Sequence, residues 1–264
     1  MRFTKMHGLG NDYIFLNCME SIPENLDELA RRLSDRHFGV GGDGIICVCP
    51  SRRADFQMRM FNADGSEGAM CGNGIRCFGK YVFDQGLTDK AHLTIETPAG
   101  EREISLMVEQ GKAVGAAVDM GVPEVCSPLQ IYVKDNSYTV VSVSVGNPHV
   151  VLETGDPAGL NLQELGPAFE YHPDFGQRVN VEFVRVLGRK CLEVRVWERG
   201  SGETLACGTG ACAAVCAMAE TGKLEREAEV RLSGGRLQVR WDEKSGHVFM
   251  TGPAATVFDG ELAD

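Results

Sequence analysis

The sequence predicts an α/β protein built from two similar halves, and three features support that prediction. Many short runs with strand-like alternation are separated by turn residues, whereas helix-like patterns are few. The third feature is an internal repeat around Cys71 and Cys207. When one segment is shifted by 136 positions, Glu67, Cys71, Gly72, Gly74 and Gly86 fall on Glu203, Cys207, Gly208, Gly210 and Gly222.

The repeat extends far upstream of the two cysteines. The same shift carries Gly10-Asn11 onto Gly146-Asn147, and a shift one residue longer places Phe38-Gly39 on Phe175-Gly176 and Asp43 on Asn180. Chance does not readily produce such a series in the same order. We therefore interpret the chain as a tandem duplication that presents two similarly placed thiols to one interface.

The elements of the first half follow in order along the chain. Strands are expected at FTKMH, YIFLNC, GIICVC, FQMRMFN, LTIET, EISLMVE and AVGAAVDM. Residues 24–36 have leucines at helical spacing and predict an amphipathic helix. A second helix is expected to begin at Cys71 and to end near Gly86, because glycine commonly terminates a helix.

The second half repeats this order. Its expected strands are QIYVK, YTVVSVSV, HVVLE, VNVEFVRV, CLEVRVWE, EVRLS, RLQVRW and HVFMTG, with a short helix at 161–169. The helix at 208–221 is apolar nearly all round, which favours burial inside a sheet. Each half is thus expected to be a β-barrel-like mixed sheet wrapped around a central helix.

These elements also give expected domain boundaries. The N-terminal half is expected at 1–115, with the C-terminal strand 254–264 packing back on it, and the C-terminal half at 116–253. The active site is expected in the cleft between the halves.

Composition limits the function classes. A hydrophobic fraction of 43% and a charged fraction of 24% are typical of a globular protein, and the net charge is −11. Because lysines and arginines form no run longer than two residues, nucleic acid and membrane surfaces are not expected as partners, whereas a small-molecule substrate is. No signal peptide or membrane span is recognised. Ten cysteines without zinc-like spacing predict reduced thiols in the cytoplasm and no metal.

Cys71 and Cys207 are the candidate catalytic residues. Each stands just before a Gly-x-Gly segment at an expected helix N-terminus, where unpaired N–H groups and the helix dipole favour a thiolate. The same N–H groups can hold a carboxylate. A single cysteine in an apolar setting is more often structural, but the matched repeat favours a pair that flanks one α-carbon.

Further residues are candidates for binding the substrate or for adjusting the pKa of a thiol. Asn11 and Asn147 occupy equivalent turns, although an isolated Gly-Asn turn is usually structural. Asn62 and Asn180 each adjoin a strand and offer amides. His149 is a candidate for tuning a thiol or, equally, a core histidine. Glu198-Arg199, ahead of Cys207, suits either a solvated loop or the charged groups of an amino acid.

The chain resembles the diaminopimelate epimerase family nearly from end to end. The segments that carry the resemblance are FTKMHGLGNDY, FNADGSEGAMCGNGIRC, IETPAG, GNPH, VNVEFV, WERGSGETLACGTGACA and MTGPA. It implies a cofactor-independent isomerase that interconverts LL- and meso-diaminopimelate for lysine and peptidoglycan synthesis. It also implies two pseudo-symmetric α/β halves, and a homodimer is expected.

The resemblance assigns roles to the candidate residues. Cys71 and Cys207 would be the acid–base pair, and Gly72-Asn73 and Gly208-Thr209 would hold the reacting carboxylate. The rest of the substrate would be bound by Asn11, Asn62, Asn147, Asn180, Glu198 and Arg199, with His149 and Glu198 also adjusting the thiols. Gly44 stands where some members carry a substrate-side Gln, so contacts from that loop are open.

The sequence leaves three alternative functions open. A related racemase acting on proline or hydroxyproline would also use paired cysteines. A redox relay or thiol sensor would usually require a CxxC motif, which the sequence lacks. A non-catalytic binding protein would bind diaminopimelate without exchanging its α-hydrogen.

Overall fold

The computed structural model describes residues 1–262, and the chain divides into two compact units. Unit 1 consists of residues 1–119 together with the chain from 251 onward, and unit 2 consists of residues 120–250. The sequence placed the corresponding division after residue 115. Among residues 1–262, no helix is both long and apolar enough to cross a membrane.

The elements up to residue 119 belong to unit 1. The helices are α1 (Leu26–Ser34) and α2 (Gly72–Asp84). The strands are β1 (Arg2–Gly8), β2 (Asn11–Asn17), β3 (Gly44–Cys49), β4 (Phe56–Asn62), β5 (Glu67–Gly68), β6 (His92–Thr97), β7 (Gly100–Glu109) and β8 (Lys112–Asp119). The predicted helices at 24–36 and after Cys71 are confirmed, each within a few residues.

Unit 2 and the end of the chain supply the remaining elements. The helices are α3 (Leu162–Glu170) and α4 (Gly208–Glu220). The strands are β9 (Glu124–Val125), β10 (Leu129–Val133), β11 (Asn136–Ser144), β12 (Pro148–Glu153), β13 (Asn180–Gly188), β14 (Cys191–Glu198), β15 (Gly202–Thr204), β16 (Glu227–Leu232), β17 (Gly235–Trp241), β18 (Val248–Pro253) and β19 (Ala255–Glu261). Strand β19 pairs with β1, both within unit 1.

The two units repeat one topology. In unit 1 the pairs β1–β2, β3–β4 and β6–β7 are antiparallel, and β2–β3 and β4–β6 are parallel. In unit 2 the pairs β11–β12, β13–β14 and β16–β17 are antiparallel, and β12–β13 and β14–β16 are parallel. The helices occupy matching places in this order. The duplication inferred from the sequence is therefore confirmed at the level of strand pairing.

Strand register corrects one of the sequence matches. Tyr13 lies opposite Gly44 in the β2–β3 pair, and His149 lies opposite Asn180 in the β12–β13 pair. The counterpart of Asn180 is therefore Gly44 and not Asp43. A single shift of 136 positions thus relates the strands on which the candidate residues lie.

Each unit buries one helix against its own strands. Helix α2 contacts β1, β2, β3, β7, β8 and β19, and α4 contacts β9, β11, β12, β13, β14, β16 and β17. A flat sheet cannot bring so many strands to one helix, so the strands of each unit curve around their helix, although they are not closed into a barrel. The mixed α/β fold with two buried central helices agrees with the predicted fold class.

Candidate active site

Cys71 and Cys207 are the N-cap residues of the two central helices. Cys71 has φ −131° and ψ 119°, and Cys207 has φ −120° and ψ 118°. Each sulfur accepts a hydrogen bond from the backbone N–H three residues later, Gly74 at 3.3 Å and Gly210 at 3.4 Å. Unpaired N–H groups and the helix dipole favour negative charge at both positions.

Gly74 and Gly210 allow a strand to pass close beneath each helix end. A Cβ on Gly74 would lie 2.8 Å from Ile46 Cδ1, and a Cβ on Gly210 would lie 2.5 Å from Glu182 Oε1. Any larger residue would therefore clash with the Ile46 or Glu182 side chain unless that side chain shifted. The two helix ends have the same backbone conformation but pack on different side chains, the apolar Ile46 and the acidic Glu182.

The Cys71 site consists of Cys71 and the side chains around its sulfur. Cys71 Sγ lies 3.2 Å from Asn11 Oδ1, and Asn73 Nδ2 lies 3.4 Å from the same oxygen. Asn11 Nδ2 donates to Asp43 Oδ2 at 2.7 Å. Asp43 thereby fixes the amide with its oxygen toward the sulfur. The sequence predicted Asn11, Cys71 and Asn73 here but gave Asp43 no role.

Tyr13 is a second residue that sequence reasoning missed in this site. Its side chain is buried and forms hydrogen bonds with Cys71 and Asn11. Burial, reinforced by Cys71, raises the pKa of the Tyr13 phenol well above its ordinary value. Tyr13 therefore stays neutral. The repeat offered a signal for it, because a shift of 136 positions places Tyr13 on His149.

Arg76 supports the first turn of α2 from within the core. Its side chain is fully buried, donates to Gly72 O at 3.0 Å and to Asn73 Oδ1 at 2.9 Å, and also reaches Pro253 O at 3.2 Å. Because the Asn73 oxygen accepts from Arg76, its amide nitrogen faces Asn11. Arg76 thus orients one of the predicted carboxylate-binding residues.

The Cys207 site consists of Cys207 and a chain of polar side chains. Cys207 Sγ lies 3.4 Å from Thr209 Oγ1, which accepts from Asn147 Nδ2 at 3.3 Å. His149 Nε2 lies 3.0 Å from Asn147 Oδ1, and His149 Nδ1 lies 2.7 Å from Glu182 Oε1. The sequence predicted Asn147, His149, Cys207 and Thr209, and it missed Glu182.

Glu198 also faces Cys207. Thr204 Oγ1 donates to Glu198 Oε1 at 2.5 Å, and the Glu198 carboxyl is within hydrogen-bonding reach of the Cys207 thiol. Burial raises the pKa of Glu198 above its ordinary value. Burial likewise raises the pKa of the Cys207 thiol well above its ordinary value, and the carboxylates of Glu198 and Glu182 raise it further. As the structure stands, Cys207 is held as a thiol.

The remaining candidates lie at strand ends. Asn180 Nδ2 donates to Pro148 O at 3.0 Å, and Asn180 Oδ1 accepts from the Arg199 backbone N–H at 3.0 Å. The Arg199 guanidinium is exposed, while Asn62 at the end of β4 donates to Ser66 Oγ at 3.0 Å. By register, Asn62 and Glu198 are counterparts, since Asn62 lies opposite Gly44 and Glu198 follows the Val181–Trp197 pair.

The side chains of residues 1–262 also bear on whether the protein could bind a metal ion. Across residues 1–262, no group of three or more His, Cys, Asp and Glu side chains is arranged to hold a metal ion. The polar groups around Cys71 and Cys207 are instead amides, hydroxyls, backbone N–H groups and carboxyls, which suit hydrogen bonding to an organic substrate.

Comparison with known proteins gives the family. A family model described as diaminopimelate epimerase matches residues 3–126 and 141–257. The diaminopimelate epimerase of Acetivibrio thermocellus is 51% identical over 275 residues, which cover 99% of this chain and 98% of that protein. That of Methanococcus maripaludis strain C5 is 48% identical over 275 residues and 99% of each chain.

The chain belongs to the diaminopimelate epimerase family. Solved structures show the same duplicated fold at low sequence identity. A probable proline racemase from Agrobacterium radiobacter K84 has a TM-score of 0.76 at 16% identity, over 99% of this chain and 92% of that one. A predicted epimerase from Pseudomonas aeruginosa has a TM-score of 0.74 at 18% identity, over 100% and 99%. These two neighbours support the fold alone.

Proposed function

We propose that this protein interconverts LL-2,6-diaminopimelate and meso-diaminopimelate by two-base proton transfer at the α-carbon. The observation that carries the proposal is the pair of cysteine N-caps with matching backbone geometry, in a chain that is 51% identical to a diaminopimelate epimerase. Cys71 and Cys207 act as the two bases, one as thiolate and the other as thiol.

The reaction requires strong stabilisation of a carbanion. The α-proton of an amino acid is a very weak acid, and the proposed mechanism uses no cofactor as an electron sink. Gly72-Asn73 and Gly208-Thr209 stand at the first turns of α2 and α4, where backbone N–H groups point away from the helix. Helix ends of this kind stabilise the negative charge that develops on the reacting carboxylate.

The thiols then exchange protons with the α-carbon. The thiolate removes the α-proton from one face, and the thiol of the other cysteine delivers a proton to the opposite face. The roles reverse with reaction direction. Asn11, which contacts Cys71, and His149 and Glu198, which belong to the Cys207 site, adjust how readily each sulfur holds its proton.

The rest of the substrate carries a second ammonium and a second carboxylate. We assign Asn11, Asn62, Asn147, Asn180 and Glu198 to its polar groups, together with Arg199. The exposed Arg199 guanidinium has the planar geometry that suits a carboxylate, and the Asn180 amide fixes the Arg199 backbone at 3.0 Å. A substrate with two charged ends therefore fits this set better than proline does.

Two finer statements about the protein in the cell belong to the same proposal. We place the enzyme in the cytoplasm, in lysine and peptidoglycan precursor synthesis, and this agrees with ten cysteines of which none forms a disulfide within residues 1–262. We also propose a homodimer without nucleic-acid or membrane partners. Light scattering of the purified protein tests the dimer, which a monomeric mass at working concentrations would contradict.

A substrate comparison tests the activity itself. Purified protein is incubated with LL-diaminopimelate, L-proline or trans-4-hydroxy-L-proline, and the stereoisomers are separated by chiral chromatography. We expect meso-diaminopimelate to form and both prolines to remain unchanged. Turnover of a proline would move the assignment to a proline racemase, and binding of diaminopimelate without turnover would indicate a binding protein.

A further inference from the structure

Glu182 is a buried carboxyl that the fold itself does not require. It is the third residue of β13, and its fully buried side chain lies beneath the first turn of α4. At the equivalent place in unit 1 the side chain is Ile46, also fully buried, beneath the first turn of α2. Burying a carboxyl costs free energy that an isoleucine avoids. Packing alone therefore does not account for Glu182.

The contacts of Glu182 show how many protons its partner must supply. His149 Nδ1 lies 2.7 Å from Glu182 Oε1, and His149 Nε2 lies 3.0 Å from Asn147 Oδ1. A carboxylate oxygen and an amide oxygen both accept, so each contact needs a proton. A neutral imidazole beside an ionised carboxylate supplies only one. With the Asn147 oxygen facing the imidazole, hydrogen bonds at both ring nitrogens need one additional proton on the Glu182–His149 pair.

This additional proton sets the direction of a hydrogen-bond chain. Because Asn147 Oδ1 accepts from His149, Asn147 Nδ2 faces Thr209 Oγ1 and donates to it at 3.3 Å. The Thr209 oxygen is then an acceptor, and its own hydrogen is available for Cys207 Sγ at 3.4 Å. Every donor from His149 onward thus points toward the sulfur. Donation to a sulfur favours its thiolate form.

We propose that Glu182 is a positioning residue for Cys207. By keeping the additional proton on the Glu182–His149 pair, it directs this chain so that Thr209 donates to the Cys207 thiolate. The negative charges of Glu198 on β14 and of Glu182 itself both oppose the thiolate, and the proposed hydrogen-bond chain acts in the opposite direction. The proposal rests on the proposed function for its role in catalysis. Its test measures the reactivity of the thiol and requires no turnover of substrate.

Alkylation of Cys207 in the Glu182→Gln variant tests the proposal. The rate of modification by iodoacetamide at one mildly alkaline pH is measured for Cys207 and Cys71 by peptide mass spectrometry. Loss of the donated hydrogen bond raises the thiol pKa by about one unit. The resulting tenfold loss of thiolate is partly offset by greater nucleophilicity, so Cys207 should react about threefold more slowly.

The alternative is that Glu182 acts only as a buried negative charge near Cys207. Its neutralisation would then favour the thiolate, and Cys207 would react faster than in the parent protein. A faster or unchanged rate overturns the proposal. Cys71 in the same molecule should keep its parent rate, which reports an intact fold, and Glu203→Gln serves as a matched carboxyl control in unit 2 with no expected change.

The Thr209→Val variant tests the last link of the chain separately. It removes the hydroxyl that donates to the sulfur, so Cys207 should again react about threefold more slowly. Adding Glu182→Gln to this variant should cause no further slowing, because the chain is already cut. A parent-like rate for Thr209→Val overturns the proposal even if Glu182→Gln does not fold.

Discussion

The Cys71 site and the Cys207 site have the same backbone conformation but different chemical environments. In both, a cysteine caps the central helix. Asn11 contacts the sulfur of Cys71 directly, and Asn147 reaches that of Cys207 through Thr209. The contacts described for Cys71 include the Asn11 amide and the Tyr13 phenol, whereas Cys207 lies beside the Thr209 hydroxyl and the carboxyls of Glu198 and Glu182.

This difference shows which parts of the duplication are constrained by geometry. The helix cap, the glycine three residues later and the strand beneath it are kept in both units, because they place the sulfur and the N–H groups. The side chains that surround each helix end have diverged, with Tyr13 replaced by His149 and Ile46 by Glu182. The helix-capping cysteine was thus kept in both units, while the side chains around it came to differ in charge. Two unequal thiols suit a reaction in which one starts as acid and the other as base.

The largest expected effect comes from removing either sulfur. Cys71→Ala and Cys207→Ala should each lower kcat/KM for LL-diaminopimelate by roughly 10³-fold or more, since each removes one proton-transfer group. Both variants should keep the parent circular dichroism spectrum. Near-parent activity in one variant would contradict the proposal that both cysteines transfer a proton.

Arg199 is the next test, because its counterpart in unit 1 under the shift of 136 positions is Ala63. Arg199→Lys keeps the charge but loses the planar pair of donors, and we expect kcat/KM to fall roughly 10²-fold. Arg178→Lys is the matched control, since Arg178 is also exposed and pairs with Glu170. Equal losses in the two variants, or parent-like turnover by Arg199→Ala, would contradict the assignment.

A smaller effect is expected on stability from Glu198→Gln, which gives the Cys207 site an amide like that of Asn62 in unit 1. Because burial raises the folded-state pKa of Glu198, the parent protein loses stability as pH rises above the unfolded value of about 4.5. The variant should therefore melt higher than the parent by roughly 2–4 °C at neutral pH, with less difference near pH 4.

Thermal unfolding of parent and variant across this pH range checks the prediction. Glu203→Gln, which removes a more exposed carboxylate paired with Arg195, should show no such pH-dependent gain. Activity of Glu198→Gln should fall at the same time, because the carboxyl faces Cys207. A variant that melts lower than the parent at neutral pH would mean that Glu198 is stabilised in its charged form.

Much of this arrangement is visible in the sequence, because it depends on local signals. The repeat predicted the duplicated fold, and the glycines after Cys71 and Cys207 predicted where the central helices begin. Asn11, Asn73, Asn147, His149 and Thr209 were also recognised and do lie around the sulfurs.

The residues that were missed are those whose role depends on register and burial. Glu182 lies within an apolar strand, and only the pairing of β13 places its side chain beneath α4. Asp43 and Arg76 act at a distance from the sulfur by holding an amide in one orientation. A carboxyl in the middle of the apolar run VNVEFV was the available signal for Glu182, since buried strands rarely carry one unpaired.

The central claim is that two different thiols handle the departing and the arriving proton, and early-time isotope labelling tests it most directly. LL-diaminopimelate is turned over briefly in deuterium oxide, and the deuterium at the α-carbon is measured in both isomers by mass spectrometry. Thiol protons exchange with solvent between turnovers, so the meso product should carry deuterium while the remaining LL-substrate stays almost unlabelled. Deuterium entering recovered substrate and product equally, or product that retains the original hydrogen, would contradict the two-base account.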